Sequence, residues 1–252
     1  MDDSQHGGPE APPREGLDVV RVHAMLRSLI LDCTLEPGRR VSQSELSRLT
    51  GAGRTPLREA LRMLQQEGLV TSEANRGVTI APFDLDELDC LYAYRVSLES
   101  AAIRITVPLL TRGDYAQLEQ AVSDMTAAVE SGDSDEFEDP HRRFHQLLVG
   151  HVQKPARARM ARDAEKSERF RRLMIHTDQQ VTVTSEREHR EILDACIRRD
   201  DITASHLLAN HLARSAIYVA AELDPTYAPV LTRMAIRTVV GTDTTGTRGE
   251  TW

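Results

Sequence analysis

Between Gly51 and Val70 the chain reads GAGRTPLREALRMLQQEGLV, and this run leaves few choices of structure. Leu57, Leu61 and Leu64 recur at i, i+4 and i+7, which places them on one face of an α-helix and commits that face to a core. Arg54, Arg58 and Arg62 recur at i, i+4 and i+8 on another face, a cationic stripe free to meet phosphates. Glycine punctuates both ends: Gly51 stops the segment before, and Gly68 stops the helix itself. Thr55 reads as the N-cap of this helix, with Pro56 at the first helical position, where a missing N–H costs nothing.

The flanks turn that helix into a motif. Upstream, Val19, Val22, Met25, Leu26, Leu29 and Ile30 make an amphipathic helix ended by the turn Leu35-Glu36-Pro37-Gly38. Ser42 or Ser44 opens a second helix that carries Leu46 and Leu49 and stops at Thr50-Gly51, a few residues before the third begins, as a helix-turn-helix requires. Downstream, Leu69 to Ser72 and Gly77 to Ile80 read as short strands around a turn at Glu73 to Arg76, the hairpin of a winged helix. A helix N-terminus in the major groove can offer Arg to guanine O6 and N7, and Arg54, Thr55 and Arg58 stand at that end with Arg62 farther along. At the wing, Asn75, Arg76 and Gly77 put a cation and a closely approaching backbone where the adjacent minor groove or its phosphates would lie. A lone arginine-bearing helix is most often a solvated face; the tight turn, the Thr-Pro start and the wing together favour double-stranded operator DNA.

Charge follows the same division. Residues 17–82 hold nine Lys and Arg against seven Asp and Glu, a net +2, whereas residues 83–230 hold eighteen against twenty-six, a net −8. From Asp84 onward no strand pattern occurs, and helical segments follow near 84–107, 114–130, 135–151, 155–176, 184–199 and 201–221. The expected fold is therefore mainly α: a winged helix-turn-helix over 17–82, then an all-α helical bundle over 83–230 for effector binding and dimerisation. Residues 1–16, with three prolines, read as a disordered tail. Thr226 to Val239 offers one more helical segment, although 231–252 as a whole reads as a largely disordered extension. Three widely spaced cysteines support neither a disulfide framework nor a metal knuckle. No apolar run approaches the roughly 18 residues of a membrane span, and the first sixteen residues lack a signal-peptide pattern, so a cytoplasmic protein is expected.

The helical part carries four notable histidines. His141 and His145, four apart, share a helix face. His189 falls on the stripe of Ile192 and Leu193, His211 on that of Leu208 and Leu212, and His145 beside Phe144 and Leu148. A single inward histidine is more often a hydrogen-bonded core residue than a ligand, but three or four on three helices shift that balance. Imidazoles in this number suit a divalent cation such as zinc or nickel, with an open position for a carboxylate oxygen of a small organic acid. Arg95 lies on the stripe of Leu88, Leu91, Leu98, Ala102 and Ile105, where it either pairs with Glu99 or captures the effector's carboxylate. Glu188 adjoins His189 and is expected to project off the pocket-facing stripe.

Through Pro37-Gly38, Glu45-Leu46, Gly51 to Val70 and Asn75-Arg76-Gly77 the chain resembles the GntR family of bacterial transcription regulators. The resemblance gives Arg54, Thr55, Arg58 and Gly77 the family's DNA-contact roles. It departs at Ala52-Gly53, where members often carry a branched residue and Ser whose hydroxyl helps hold the turn, and near Ser44, where others place an arginine. Phe144-His145, Glu188-His189, Asp201 and His211 resemble the FadR-type ligand domain called FCD, whose metal site uses one Asp and three His. That resemblance makes His145, His189 and His211 ligands and puts His141 where the family has its aspartate. Either His141 replaces it in an all-nitrogen site, or the site is empty. Asp139-Pro140 reads as an N-cap and helix start, which would shift His141 and leave Asp139 as a reserve ligand.

The implied function is a homodimeric transcription regulator, a repressor, with two half-sites held at fixed spacing. A small carboxylate effector in the metal-containing domain would control it. The alternatives are a dedicated metal sensor and a helical metallohydrolase, the latter leaving the winged helix unexplained.

Overall fold

A computed structural model describes residues 18–72, 77–131, 134–177 and 179–241. The chain divides between Pro82 and Phe83 into two units, each with its own core.

The first unit runs α1 (Val19–Leu31), β1 (Arg40–Val41), α2 (Gln43–Thr50), α3 (Arg54–Gln66), β2 (Val70–Ser72) and β3 (Val78–Ile80). Asp18 caps α1 through the Arg21 N–H and Ser42 caps α2 through the Glu45 N–H, so each helix begins at a side chain that satisfies an otherwise unpaired donor. Val22, Leu26, Leu46, Leu57, Ala60 and Leu64 pack the three helices together and meet Val41, Val70, Val78 and Ile80 of the sheet. Helix α3 starts earlier than the Thr-Pro pair suggests. Gly53 is the N-cap in extended backbone (φ −70°, ψ 168°), and its carbonyl accepts the Leu57 N–H at 3.2 Å. Thr55 and Pro56 therefore fall inside the first turn, where Pro56 is tolerated because those N–H groups have no intrahelical partner in any case.

The turn between α2 and α3 is held from α2. Ser47 Oγ donates to the Ala52 carbonyl at 2.6 Å, and Thr50 Oγ1 donates to the Leu46 carbonyl at 2.8 Å while accepting the Ala52 N–H at 3.3 Å. These hydroxyls do the work of the one absent at Ala52-Gly53. The two-residue β1, too short to show any alternation, adds a third strand in the order β1-β3-β2, with Arg40 opposite Thr79 and Val41 opposite Val78. Its passage explains Gly77: φ is +86°, and a Cβ there would lie 3.1 Å from the Val41 carbonyl oxygen. Asn75 and Arg76 lie outside the described residues.

The second unit comprises α4 (Leu85–Thr106), a 3₁₀ turn (Val107–Leu109), α5 (Arg112–Ser131), α6 (Ser134–Leu148), α7 (Lys154–Thr177), α8 (Gln179–Ile197), α9 (Asp201–Leu223) and α10 (Val230–Val240). No strand occurs among its described residues. Helices α4 and α9 pack most extensively, α10 rests on both, and α5 packs on α6 and α8. Leu88, Tyr92, Val96, Ile103, Phe144 and Leu208 lie in the shared core. Leu98 and Ile105, read from periodicity as core companions of Arg95, are exposed instead. The buried face of α4 runs through Tyr92, Arg95, Val96 and Glu99, and a second apolar stripe faces outward.

Tertiary packing overrides one local expectation and supports another. Pro140 sits inside α6 rather than at its start. An interior proline costs about 3 kcal/mol, but the turns before it are held by Phe137 in the core and by Glu138, which pairs with Arg171. The helical segment expected within Thr226 to Val239 is α10, which reaches into residues otherwise read as a disordered extension, and the buried Asp89 of α4 supplies its missing cap. Its two carboxylate oxygens accept the Leu231 and Thr232 N–H groups at 2.9 and 2.7 Å, and the Thr232 hydroxyl donates to the Asp89 carbonyl. Asp89→Ala should destabilise the protein by about 1–2 kcal/mol and speed proteolysis between α9 and α10, measured by urea denaturation and limited digestion. An unchanged midpoint and digestion pattern would contradict this capping role.

Candidate functional site: a four-histidine cluster and an exposed recognition helix

Helix α6 carries His141 and His145 one turn apart, α8 presents His189, and α9 presents His211; all four are at least 96% buried. Their ring centroids stand 4.5 Å apart for both His141–His145 and His189–His211, and 6.5 Å for the widest pair, His141–His211. Phe144 packs edge-on against His145 and His189, and Phe137 leans on His141, so an aromatic wall sets the ring planes. One nitrogen from each ring lies within 4.8 Å of the other three. Four nitrogens bound tetrahedrally to one ion at about 2.1 Å stand roughly 3.4 Å apart, so the widest pair would need to draw in by at most about 1.4 Å.

Electrostatics prepares these rings as ligands. Burial is the largest influence on all four, lowering His141, His145 and His189 well below the ordinary 6.5 and His211 to about 3; the Arg171 guanidinium pushes each the same way. All four are neutral near pH 7, each with a lone pair to offer. Both nitrogens of His145 and both of His189 lack a hydrogen-bond partner. Unmet buried polar atoms of this kind cost about 1–3 kcal/mol each. A divalent cation would relieve that cost, and an all-imidazole donor set fits zinc or nickel.

Glu188 points off the cluster-facing stripe of α8, as its place beside His189 implies, but it still meets one of the four rings. It is buried, with Oε2 2.7 Å from His211 Nδ1 and its other oxygen paired with Arg214. His189 and Glu188 are neighbours on α8 about 100° apart, so while one faces the cluster the other faces the flanking α9. The contact places the His211 proton on Nδ1, where it donates to the carboxylate, and leaves Nε2 free for the cluster. Asp139, held as a reserve ligand, is exposed and pairs with Arg142 at 2.9 Å instead.

Arg95 is buried and tied to Glu99: Nε donates to Oε1 at 2.8 Å, and Nη1 donates to Ser167 Oγ at 2.8 Å. The other Glu99 oxygen is 3.9 Å from His145 Nδ1. Arg171, not singled out from sequence, pairs with Glu138 beside the cluster. The signal was available, since Arg171 shares the buried face of α7 with Met160 and Ser167 at i+11 and i+4. Between α6 and α7 lies a cleft of about 330 Å³. His145 and Glu99 form its buried end, Val149, Met160 and Ala164 its apolar walls, and Arg142, Lys154 and Arg157 its more exposed side.

In the first unit, Arg54, Thr55, Arg58 and Arg62 are all exposed along α3. Arg58 and Arg62 each stand 3.7 Å from the Glu59 carboxylate, exposed pairs too weak to hold them from a phosphate.

Two family models match: bacterial regulatory proteins of the gntR family over residues 19–80, and the FCD domain over residues 90–214. The Nta operon transcriptional regulator of Aminobacter aminovorans is 30% identical over 177 residues, 69% of this chain and 81% of that protein. An uncharacterized HTH-type transcriptional regulator of Bacillus subtilis, YdhC, is 25% identical over 193 residues, 76% of this chain and 86% of that one. The solved structure of Escherichia coli McbR/YncC shares the fold, with a TM-score of 0.67 at 19% identity over 82% of this chain and 98% of its own. Both curated relatives are transcriptional regulators, in keeping with the gntR family match, which sets aside the metallohydrolase reading.

Because burial lowers the four imidazoles, the metal-free native state stays unprotonated where the unfolded chain takes up protons. Its stability should be complete above the ordinary value of 6.5 and fall as pH drops below it, by about 1.4 kcal/mol per imidazole per pH unit. Denaturation of chelated protein between pH 7.5 and 5 checks the sign; a flat profile would contradict it. Zinc or nickel at about 100 times its Kd should raise Tm by roughly 5–10 °C.

Proposed function

This chain belongs to the GntR family of bacterial regulatory proteins and carries an FCD domain, and on that premise we propose a homodimeric repressor of the FadR type, controlled by a small carboxylate effector. The effector would bind at a metal held by His141, His145, His189 and His211. The observation that carries this reading is the cluster itself: neutral, buried imidazoles with unmet nitrogens, reached from a cleft that has cations on its exposed side.

When bound, the ion would supply a positive anchor for a carboxylate oxygen. The remaining roles belong to the chain. Arg142, Lys154 and Arg157 draw an anion toward the cleft, and the walls of Val149, Met160 and Ala164 favour an acid with a short apolar body. Glu188 holds the His211 ring, and the Arg95 guanidinium is held beside the cluster by Glu99 and Ser167. Removing Arg95 would leave Glu99 buried and unpaired, so its first role is electrostatic support rather than direct capture.

On DNA, Arg54, Thr55 and Arg58 would address base edges from the N-terminal end of α3, with Arg62 on phosphates and Asn75, Arg76 and Gly77 at the wing. A second copy supplies the other half-site. The outward stripe of Tyr94, Leu98, Ala101 and Ile105 on α4 suits a self-complementary contact, with small Ala101 allowing close approach of two helices. Effector binding shifts operator affinity only as far as it prefers one arrangement of the dimer over another.

A gel shift against DNA upstream of its own gene tests this. Arg58→Ala should weaken binding by about 10- to 100-fold without altering the melt of the helical domain, and affinity should fall steeply with salt. Wild-type protein that retards no upstream fragment at low salt would overturn the operator reading. A change in DNA affinity on chelation alone would make the metal itself the signal.

A further inference from the structure

Every donor in the cluster is a neutral nitrogen, and the surrounding carboxylates are all committed elsewhere. Glu99 is held by Arg95, with its nearer oxygen still 3.9 Å from His145 Nδ1. Glu138 is paired with Arg171, Glu188 with His211 and Arg214, and the exposed Asp139 with Arg142. No carboxylate of the described residues joins the group. His141 is also fixed in place. It is 4% exposed, stacked at 5.3 Å on Phe137 one turn before it, and carried by a helix that continues through Pro140.

Donor type decides which ions such a site accepts. Magnesium and calcium require oxygen ligands, and manganese favours them. Imidazole binding strengthens along the first-row series from manganese to nickel and copper, with zinc close behind. We propose that the four-imidazole set makes this a late-transition-metal site that refuses magnesium and calcium and holds manganese far more weakly, and that His141 is the residue that sets this selectivity. The inference rests on the reading of the cluster as a metal site and extends it to which ions are refused.

The test uses metal-free, full-length protein titrated separately with nickel, zinc, manganese and magnesium by calorimetry, with metal analysis of the dialysed protein. One nickel or zinc per chain is expected, bound at least about 100-fold more tightly than manganese, with no measurable magnesium. His141→Asp should narrow the gap by about tenfold or more, tightening manganese and weakening nickel; its helical content by circular dichroism establishes that it folds. Wild-type protein that binds manganese within about tenfold of nickel would overturn the selectivity while leaving a metal site standing. Wild-type protein that binds no ion would overturn the metal reading and this inference together. The wild-type titration decides between these outcomes even if the variant does not fold.

Discussion

Four imidazoles buried in the bundle, with too few partners to share their hydrogen bonds, impose the strongest constraint on this molecule. A protein interior normally pairs its polar atoms, because leaving one unmet costs about 1–3 kcal/mol where a made hydrogen bond contributes about 1 kcal/mol. Both ring nitrogens of His145 and His189 are left unmet. The bundle is organised around that concession. Helices α6, α8 and α9 each turn a histidine to one point, Phe144 and Phe137 set the ring planes, and Glu188 fixes one tautomer.

The same interior holds the ion pairs Arg95–Glu99, Arg171–Glu138 and Arg172–Glu168. Buried pairs seldom add net stability, since the desolvation of two charges offsets their attraction. Two of the guanidiniums, Arg95 and Arg171, act on the imidazoles and help to hold them unprotonated. The unmet nitrogens and desolvated charges cost stability, and the apolar packing of α4 with α9 and α10 offsets that cost.

What could be read from sequence followed the range of the interactions involved. Helix α3 was legible because the leucine period and the arginine period are local, and helices α4 to α9 for the same reason. The histidine set was legible because each ring lies on an apolar stripe. Failures came where a distant residue decides. A proline after an aspartate reads as a helix start, yet Phe137 and Glu138 carry α6 past Pro140. Helix α10 was offered by its own period, but its cap, Asp89, lies 142 residues from Leu231 and could not be seen. Glu188 reads as lateral on its own helix and becomes a histidine partner only once α9 is laid beside α8. The two residues of β1 carry no period at all, although their carbonyl explains why position 77 must be glycine.

The central claim is that the buried histidines form one metal centre. X-ray absorption at the metal edge of protein purified without added chelator addresses it directly. The account predicts a stoichiometric ion whose nearest shell is nitrogen at about 2.0–2.1 Å, with the outer-shell scattering of several imidazole rings and no sulfur. Protein without a bound ion, or an ion whose shell contains oxygen and no imidazole scattering, would contradict it.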